Sequence, residues 1–259
     1  VTAIPVLMYH ALEDVGHPAG AKDPGEQLYV LQVVQFREQM EYLHGEGYRT
    51  VLLDELRELA EWPEKRVVLT FDDGHESNYT LALPILQEFG FTAHFFITTD
   101  WIGTTHYMTE EQVRLVHTAG MGVGSHGVTH AFISDLSEVD VNFELDESQS
   151  ELTRLTGQLI ESFSAPGGRM NDRAIAAAKQ CGYSILCTSQ VGLLKFGRSM
   201  VNIPRITIRA ETSLREFAGL VAGDAAFTAR MARKARLLAA AKSVLGNRLY
   251  EKMRAVVLG

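Results

Sequence analysis

The sequence predicts an α/β barrel of about eight parallel strands, followed by a C-terminal helical appendage. Three observations predict it. Short apolar or β-branched runs alternate with helix-periodic segments from Ile4 to Ile208. Polar residues able to do chemistry stand repeatedly just past the ends of those runs, where parallel barrels gather their active-site loops. From Phe227 onward the pattern changes to basic residues on a helix-spaced apolar stripe. A length of 259 residues suits one such barrel and needs no second core.

Taken in order, Ile4 to Tyr9 predicts the first strand, and the Gly-, Pro- and Asp-rich stretch Gly16 to Gln27 a long loop. Phe36, Met40 and Leu43 fall on one helical face. Val67 to Phe71 predicts a strand that stops at Asp72-Asp73-Gly74. A helix follows over Asn78 to Phe89, with Pro84 as its kink or break. Thr92 to Thr98 predicts a strand, and Thr109-Glu110-Glu111 opens a helix to His117. Met121 to Gly124 is a short strand ending at Ser125-His126. Glu138 to Thr156 predicts a polar-faced helix, and Ser162 to Ala165 a strand stopped by Pro166-Gly167-Gly168. A helix over Asp172 to Gln180, a strand over Tyr183 to Cys187 and a last strand over Ile203 to Ile208 complete the body.

The net charge of −8 excludes a general nucleic-acid binder, which needs a basic footprint. That average conceals an asymmetry. Residues Phe227 to Gly259 hold eight basic side chains against one acid, so the remainder carries −15. Such a tail fits peripheral contact with an anionic membrane; alternatively its apolar stripe packs on the barrel and its charges complement the acidic body. No apolar stretch approaches the ~20 residues of a membrane span. Cys181 and Cys187 lack neighbours at metal-ligand spacing and read as two free thiols, in keeping with a reducing compartment. No basic n-region precedes an apolar core, so a cytoplasmic, membrane-associated location is expected, or a secreted or periplasmic one if a leader precedes Val1.

The chemistry concentrates at strand ends. His10 follows the strand Ile4 to Tyr9, Asp72 and Asp73 the strand Val67 to Phe71, His126 and His130 the strand Met121 to Gly124, and Pro166-Gly167 the strand Ser162 to Ala165. Asp-Asp-Gly alone is an ordinary turn, and a spaced histidine pair alone is weak. The pair lacks a Glu after the first His, which excludes the zincin helix signature. Converging at one mouth, they offer a carboxylate and two imidazoles for a divalent metal and leave a second carboxylate as general base. Gly122-Val123-Gly124-Ser125-His126-Gly127 matches the dinucleotide fingerprint, but its glycines fall partly within a strand and no helix follows at once. Asn78-Tyr79-Thr80 matches a glycosylation acceptor inside a predicted helix and carries no argument. His75 either lines the cleft or caps the following helix.

These residues reach a family. Thr70-Phe71-Asp72-Asp73-Gly74 and Ser125-His126-Gly127-Val128-Thr129-His130 resemble the first two motifs of the polysaccharide deacetylases, the NodB-homology enzymes of carbohydrate esterase family 4. Phe163-Ser164-Ala165-Pro166-Gly167-Gly168 resembles the third. Pro5-Val6-Leu7-Met8-Tyr9-His10 is similar to the opening of the exopolysaccharide (poly-N-acetylglucosamine) deacetylase branch. The resemblance covers residues 1 to about 210, with the motifs in order. It implies a distorted (β/α)7-8 barrel, a divalent metal and amide hydrolysis on N-acetylhexosamines. Carried over by position, Asp72 is the general base and Asp73, His126 and His130 are metal ligands. Pro166 and Gly167 lie at the substrate, with a backbone N–H near Gly167 helping to hold the oxyanion. Zinc is the first choice of metal, and the ligand set also admits cobalt, nickel or iron. Three departures stand out: Ser164 occupies the usual place of an arginine that orients the base, no fourth motif occurs around Leu186 to Leu193, and Ile206-Thr207-Ile208-Arg209 ends without the fifth motif's histidine.

The expected protein is therefore a metal-dependent N-deacetylase of N-acetylglucosamine-type residues in a polysaccharide or lipid-linked glycan. Residues 1–222 form its catalytic domain and 223–259 a basic amphipathic tail. Leu7-Met8-Tyr9-His10 reads like a displaced fifth motif, and first and last strands of a barrel are neighbours, so His10 is the expected general acid. The rivals are a deformylase or O-deacetylase on a related glycan, and a catalytically impaired glycan-binding protein.

Overall fold

The computed structural model describes residues 3–21 and 23–224, together with Phe227, Ala229, Arg230 and Arg233. At its centre is a sheet whose ladders are all parallel. Its strands are β1 (Val6–Tyr9), β2 (Arg49–Thr50), β3 (Arg66–Phe71), β4 (His94–Ile97), β5 (Gly122–Ser125), β6 (Ser162–Ser164), β7 (Ile185–Cys187), β8 (Val201–Ile203) and β9 (Ile206–Thr207). The order across it is β8-β7-β6-β5-β4-β3-β1-β9, with β2 paired to β3 beside this path. The sheet curls into a distorted barrel as expected.

Strand alternation separates two cores. Leu7, Tyr9, Leu69, Phe71 and Phe95 join one cluster with the surrounding helices, whereas Val6, Val68, Phe96, Ile185 and Ile203 form another. On the helix side Tyr9 stacks on Phe71 and Phe71 on Phe95, at 5.2 and 5.0 Å. The helix Val33–Gly45 buries Phe36, Met40 and Leu43 there, as its spacing predicts. The helices Glu138–Thr156 and Asp172–Gln180 have the predicted bounds. Ser137 and Asn171 cap them, each accepting a backbone N–H of the first turn.

Register positions the site. β1 and β3 pair Tyr9 with Phe71, so the next residues, His10 and Asp72, leave the sheet side by side. Asp72 N–H donates to the Tyr9 carbonyl at 3.0 Å.

The predicted last strand is a correction. Ile203 to Ile208 is two strands at opposite edges of the sheet, β8 against β7 and β9 against β1. Pro204 has no N–H to continue a ladder, and Arg205 turns inward between the two strands. The predicted helix over Asn78 to Phe89 also divides, into a π-helical turn (Asn78–Ala82) and an α-helix (Leu83–Glu88) with Pro84 in its first turn. Two helices that the sequence reading omitted, Leu53–Glu58 and Leu214–Val221, cover the sheet as well. A four-residue helix, Pro24–Gln27, interrupts the predicted long loop, and Ala11–Glu13 pairs with Val30–Gln32 beyond it.

Cys181 and Cys187 are free thiols, as expected. No helix among the described residues is long and apolar enough to cross a membrane. Of the basic tail, Phe227 packs on the core and lies against Gly219, where an added Cβ would come within 2.5 Å of its ring. Arg230 pairs with Glu216 at 2.9 Å. The rest of the predicted amphipathic tail, except Gly223, Asp224, Ala229 and Arg233, lies outside the described residues.

Candidate metal centre and its cleft

Asp73, His126 and His130 converge at the carboxyl ends of β3 and β5, with their ligand atoms all within 4.8 Å of one another. His126 and His130 present Nε2 to Asp73 Oδ1 at 3.3 and 3.4 Å. The backbone bends to do this. Asp73 and His130 both have left-handed φ, 79° and 62°, a conformation that non-glycine residues adopt at a cost and that recurs at functional sites.

The donor set fits a divalent cation. Asp73 Oδ1 is buried and has no hydrogen-bond partner, an arrangement that leaves a carboxylate oxygen unsatisfied unless a cation meets it. His126 Nδ1 lies 2.7 Å from the Ser164 carbonyl. That contact places the ring proton on Nδ1 and leaves the Nε2 lone pair facing Asp73, the tautomer a metal ligand needs.

Asp72 follows a different logic. Val68, Thr70 and Asp72 share one strand face, so Asp72 ends in the interior rather than among the helices. There Arg205 Nη1 and Nη2 donate to Asp72 Oδ1 and Oδ2, both at 2.7 Å. Ser164 Oγ donates to Oδ2 at 3.1 Å and accepts from Arg205 at 2.8 Å. Arg205 Nε is anchored on the Thr188 carbonyl. Burial raises the Asp72 carboxyl, and the Arg205 guanidinium reverses this and holds it ionised, below its ordinary value.

A cleft of about 1070 Å³ opens over these residues. His10 lines it beside Asp72 and Asp73, its ring 4.7 Å from that of Tyr29 and its backbone carbonyl held by Asn78 Nδ2 at 2.7 Å. Gly167 lines the cleft too, with φ of 62°, and an added Cβ would meet the Phe132 ring at 2.6 Å. Pro166, the other predicted substrate contact, is buried at the start of the same turn, just before the left-handed Gly167. His75 does both things expected of it: it lines the cleft, and its Nδ1 lies 2.8 Å from Ser77 Oγ at the start of the π-turn.

Sequence reading missed Arg205 and Trp101. Arg205 had a visible signal, a lone cation inside the apolar run Ile203-Pro204-Arg205-Ile206, which a strand buries only against a partner. Trp101 enters the cleft wall from a 3₁₀ turn after β4, its ring 4.9 Å from His130 and 4.7 Å from Tyr107. Nothing in its neighbours marks it as a cleft residue.

Comparison with known proteins agrees with this geometry. A family model described as polysaccharide deacetylase matches residues 60–186, which contain Asp72, Asp73, His126 and His130. The chain is 29% identical over 209 residues to the Bacillus subtilis (strain 168) protein YxkH, covering 79% of this chain and 71% of that one. It is 30% identical over 229 residues to poly-beta-1,6-N-acetyl-D-glucosamine N-deacetylase of Escherichia coli (strain K12), covering 70% of this chain but only 34% of that protein. It thus spans about a third of the length of this relative. Among solved structures, the Streptococcus pyogenes deacetylase PplD in complex with acetate matches with a TM-score of 0.75 at 26% identity, over 85% of this chain and 98% of that one. IcaB from Ammonifex degensii matches in fold, with a TM-score of 0.72 at 22% identity over 86% and 97% of the two chains.

Proposed function

The chain belongs to the polysaccharide deacetylase family, and from that premise we propose that it removes N-acetyl groups from N-acetylglucosamine-type residues of a polysaccharide or lipid-linked glycan. One observation carries the proposal: a buried, unpartnered Asp73 oxygen faces two imidazole nitrogens, beside a second aspartate held ionised by an arginine. A binding protein has no use for that division of labour between adjacent carboxylates.

Asp73, His126 and His130 would hold the divalent metal, with zinc the first choice. When bound it supplies Lewis-acid chemistry, acidifying water and polarising a carbonyl oxygen. Asp72 accepts the proton of the attacking water; Arg205 and Ser164 keep its carboxylate charged and aimed. The Gly167 backbone N–H helps hold the acetyl oxygen as negative charge develops, a contribution of about 3–4 kcal/mol for one such donor. His10, beside Asp72 and Asp73 on the cleft wall, delivers a proton to the departing amine. Burial lowers its imidazole below the ordinary value, and Asp73 and Asp72 only partly oppose this, so the ring holds a proton weakly and is charged only at lower pH.

Acetate release from β-linked N-acetylglucosamine oligomers tests the reading. It should disappear with a chelator and return with zinc. Formate release, or acetate from O-acetyl esters alone, would replace it with one of the rival acyl specificities. For the basic residues beyond Arg233 we further propose contact with an anionic membrane surface. Deleting them should abolish co-sedimentation with phosphatidylserine vesicles, and unchanged sedimentation sinks that idea.

A further inference from the structure

Glu144 lies in the middle of the helix Glu138–Thr156, on the buried face it shares with Val141, Leu145 and Ser148. It is 4% exposed, a setting that rarely tolerates a carboxylate. Its contacts explain why it is there. Val128 N–H donates to Glu144 Oε2 at 2.6 Å and Thr129 N–H at 3.1 Å, and the Thr129 hydroxyl donates to Oε1. Gly127 makes room for this reach: its φ is 82°, and an added Cβ would stand 2.7 Å from Glu144 Oε2. On the other side of the same loop, the Gly127 and Val128 carbonyls accept from Thr99 and Asp100 N–H at 3.1 and 3.0 Å. The loop is thus clamped from both sides just before His130, whose left-handed φ turns its ring back to Asp73.

Charge adds a second argument. All the hydrogen-bond partners of Glu144 among the described residues are neutral donors. Asp72 is neutralised by Arg205. Glu144 is thus a buried carboxylate with no guanidinium or ammonium among its hydrogen-bond partners, and the half-buried Asp73 has only imidazoles facing it at contact distance; a buried anion is strongly disfavoured unless compensated. A divalent cation at Asp73, His126 and His130 would balance both.

We propose that Glu144 is a positioning residue of the metal centre, which shapes the Gly127–His130 loop and supplies a buried negative charge that a divalent cation offsets. The proposal rests on the metal reading above but not on the identity of the substrate. Its test is the zinc affinity of the full chain, measured by competition with a chromophoric chelator at fixed pH, alongside the melting temperature of the metal-free protein. Glu144→Gln should weaken zinc binding about 10–100-fold, the usual effect of losing a group that orients a metal ligand. Thr129→Val, which removes one donor and keeps the charge, should weaken it less. A Glu144→Gln protein that melts earlier but binds zinc like the wild type overturns the proposal, because the clamp would then be structural only. Where Glu144→Gln does not fold, Thr129→Val decides: weaker zinc binding supports the role, and unchanged binding overturns it. A wild type that binds no zinc overturns it together with the metal reading. One that binds zinc without releasing acetate removes only the substrate reading.

Discussion

Arg205 grips both carboxylate oxygens of Asp72, at 2.7 Å each, across 133 positions of sequence. The guanidinium supplies from the far end of the chain what Ser164 cannot supply from the third motif: a cation that orients the proposed base. Ser164 is not idle, since its hydroxyl links the two partners. With Ser164 in the third motif, Arg205 gives Asp72 a charged, bidentate support.

Removing that support should cost stability first. Arg205→Met leaves Asp72 buried without a counterion, which should destabilise the fold by about 3–5 kcal/mol. Arg205→Lys should recover only part of this, because an ammonium cannot make the two-pronged contact. Urea unfolding of the two variants checks both statements; equal stability of Arg205→Met and the wild type would contradict the pairing.

Asp72 and His126 separate chemistry from metal retention. Asp72→Asn should keep bound zinc near one equivalent while lowering the rate by about 10²–10⁴. His126→Ala should lose both, since it removes a ligand atom and the hydrogen bond to the Ser164 carbonyl. Metal analysis of the purified proteins beside acetate release distinguishes them. Loss of zinc in Asp72→Asn would mean that Asp72 is itself a ligand.

His10→Ala should leave the zinc content intact and lower the rate by about 10²–10⁴ on an N-acetyl substrate. An ester with a good leaving group needs no proton at departure, so its hydrolysis should fall much less. Equal losses on both substrates would rule out His10 as the acid and point to a binding role.

His94 predicts a pH effect far from the metal. It is fully buried at the start of β4, with Nε2 3.3 Å from Ser162 Oγ and Nδ1 without a partner. Burial lowers its imidazole, and Asp54 and Glu55 only partly oppose this. Its folded value is therefore below the unfolded value of about 6.5, and the unfolded chain binds the extra proton. The stability it contributes is present above roughly pH 6.5 and is lost as pH falls through that value. The urea midpoint should drop between about pH 7.5 and 5.5, and less steeply in His94→Gln. Identical slopes in both proteins would show that other groups set the dependence.

Much of this protein is determined by its sequence alone, because the relevant signals are local. Alternating apolar runs and helix caps specify β1, β3 to β7 and the helices Glu138–Thr156 and Asp172–Gln180, and residues adjacent in sequence carry the proposed ligands. Asp72-Asp73 and His126-x-x-x-His130 need only be placed at the ends of parallel strands, which the fold class does. Only the tertiary structure decided the remainder. Whether Ile203 to Ile208 is one strand or two depends on which edges of the sheet are free, and local periodicity carries no information about that. The partnership of Arg205 with Asp72 depends in turn on that split. Glu144 reads as one more polar residue on a polar-faced helix until the packing of that helix against β5 buries it under the loop it shapes. Side chains that a nearest-neighbour pattern makes look misplaced, a cation in a strand and a carboxylate on a core face, acquire their reason when distant backbone brings them their partners.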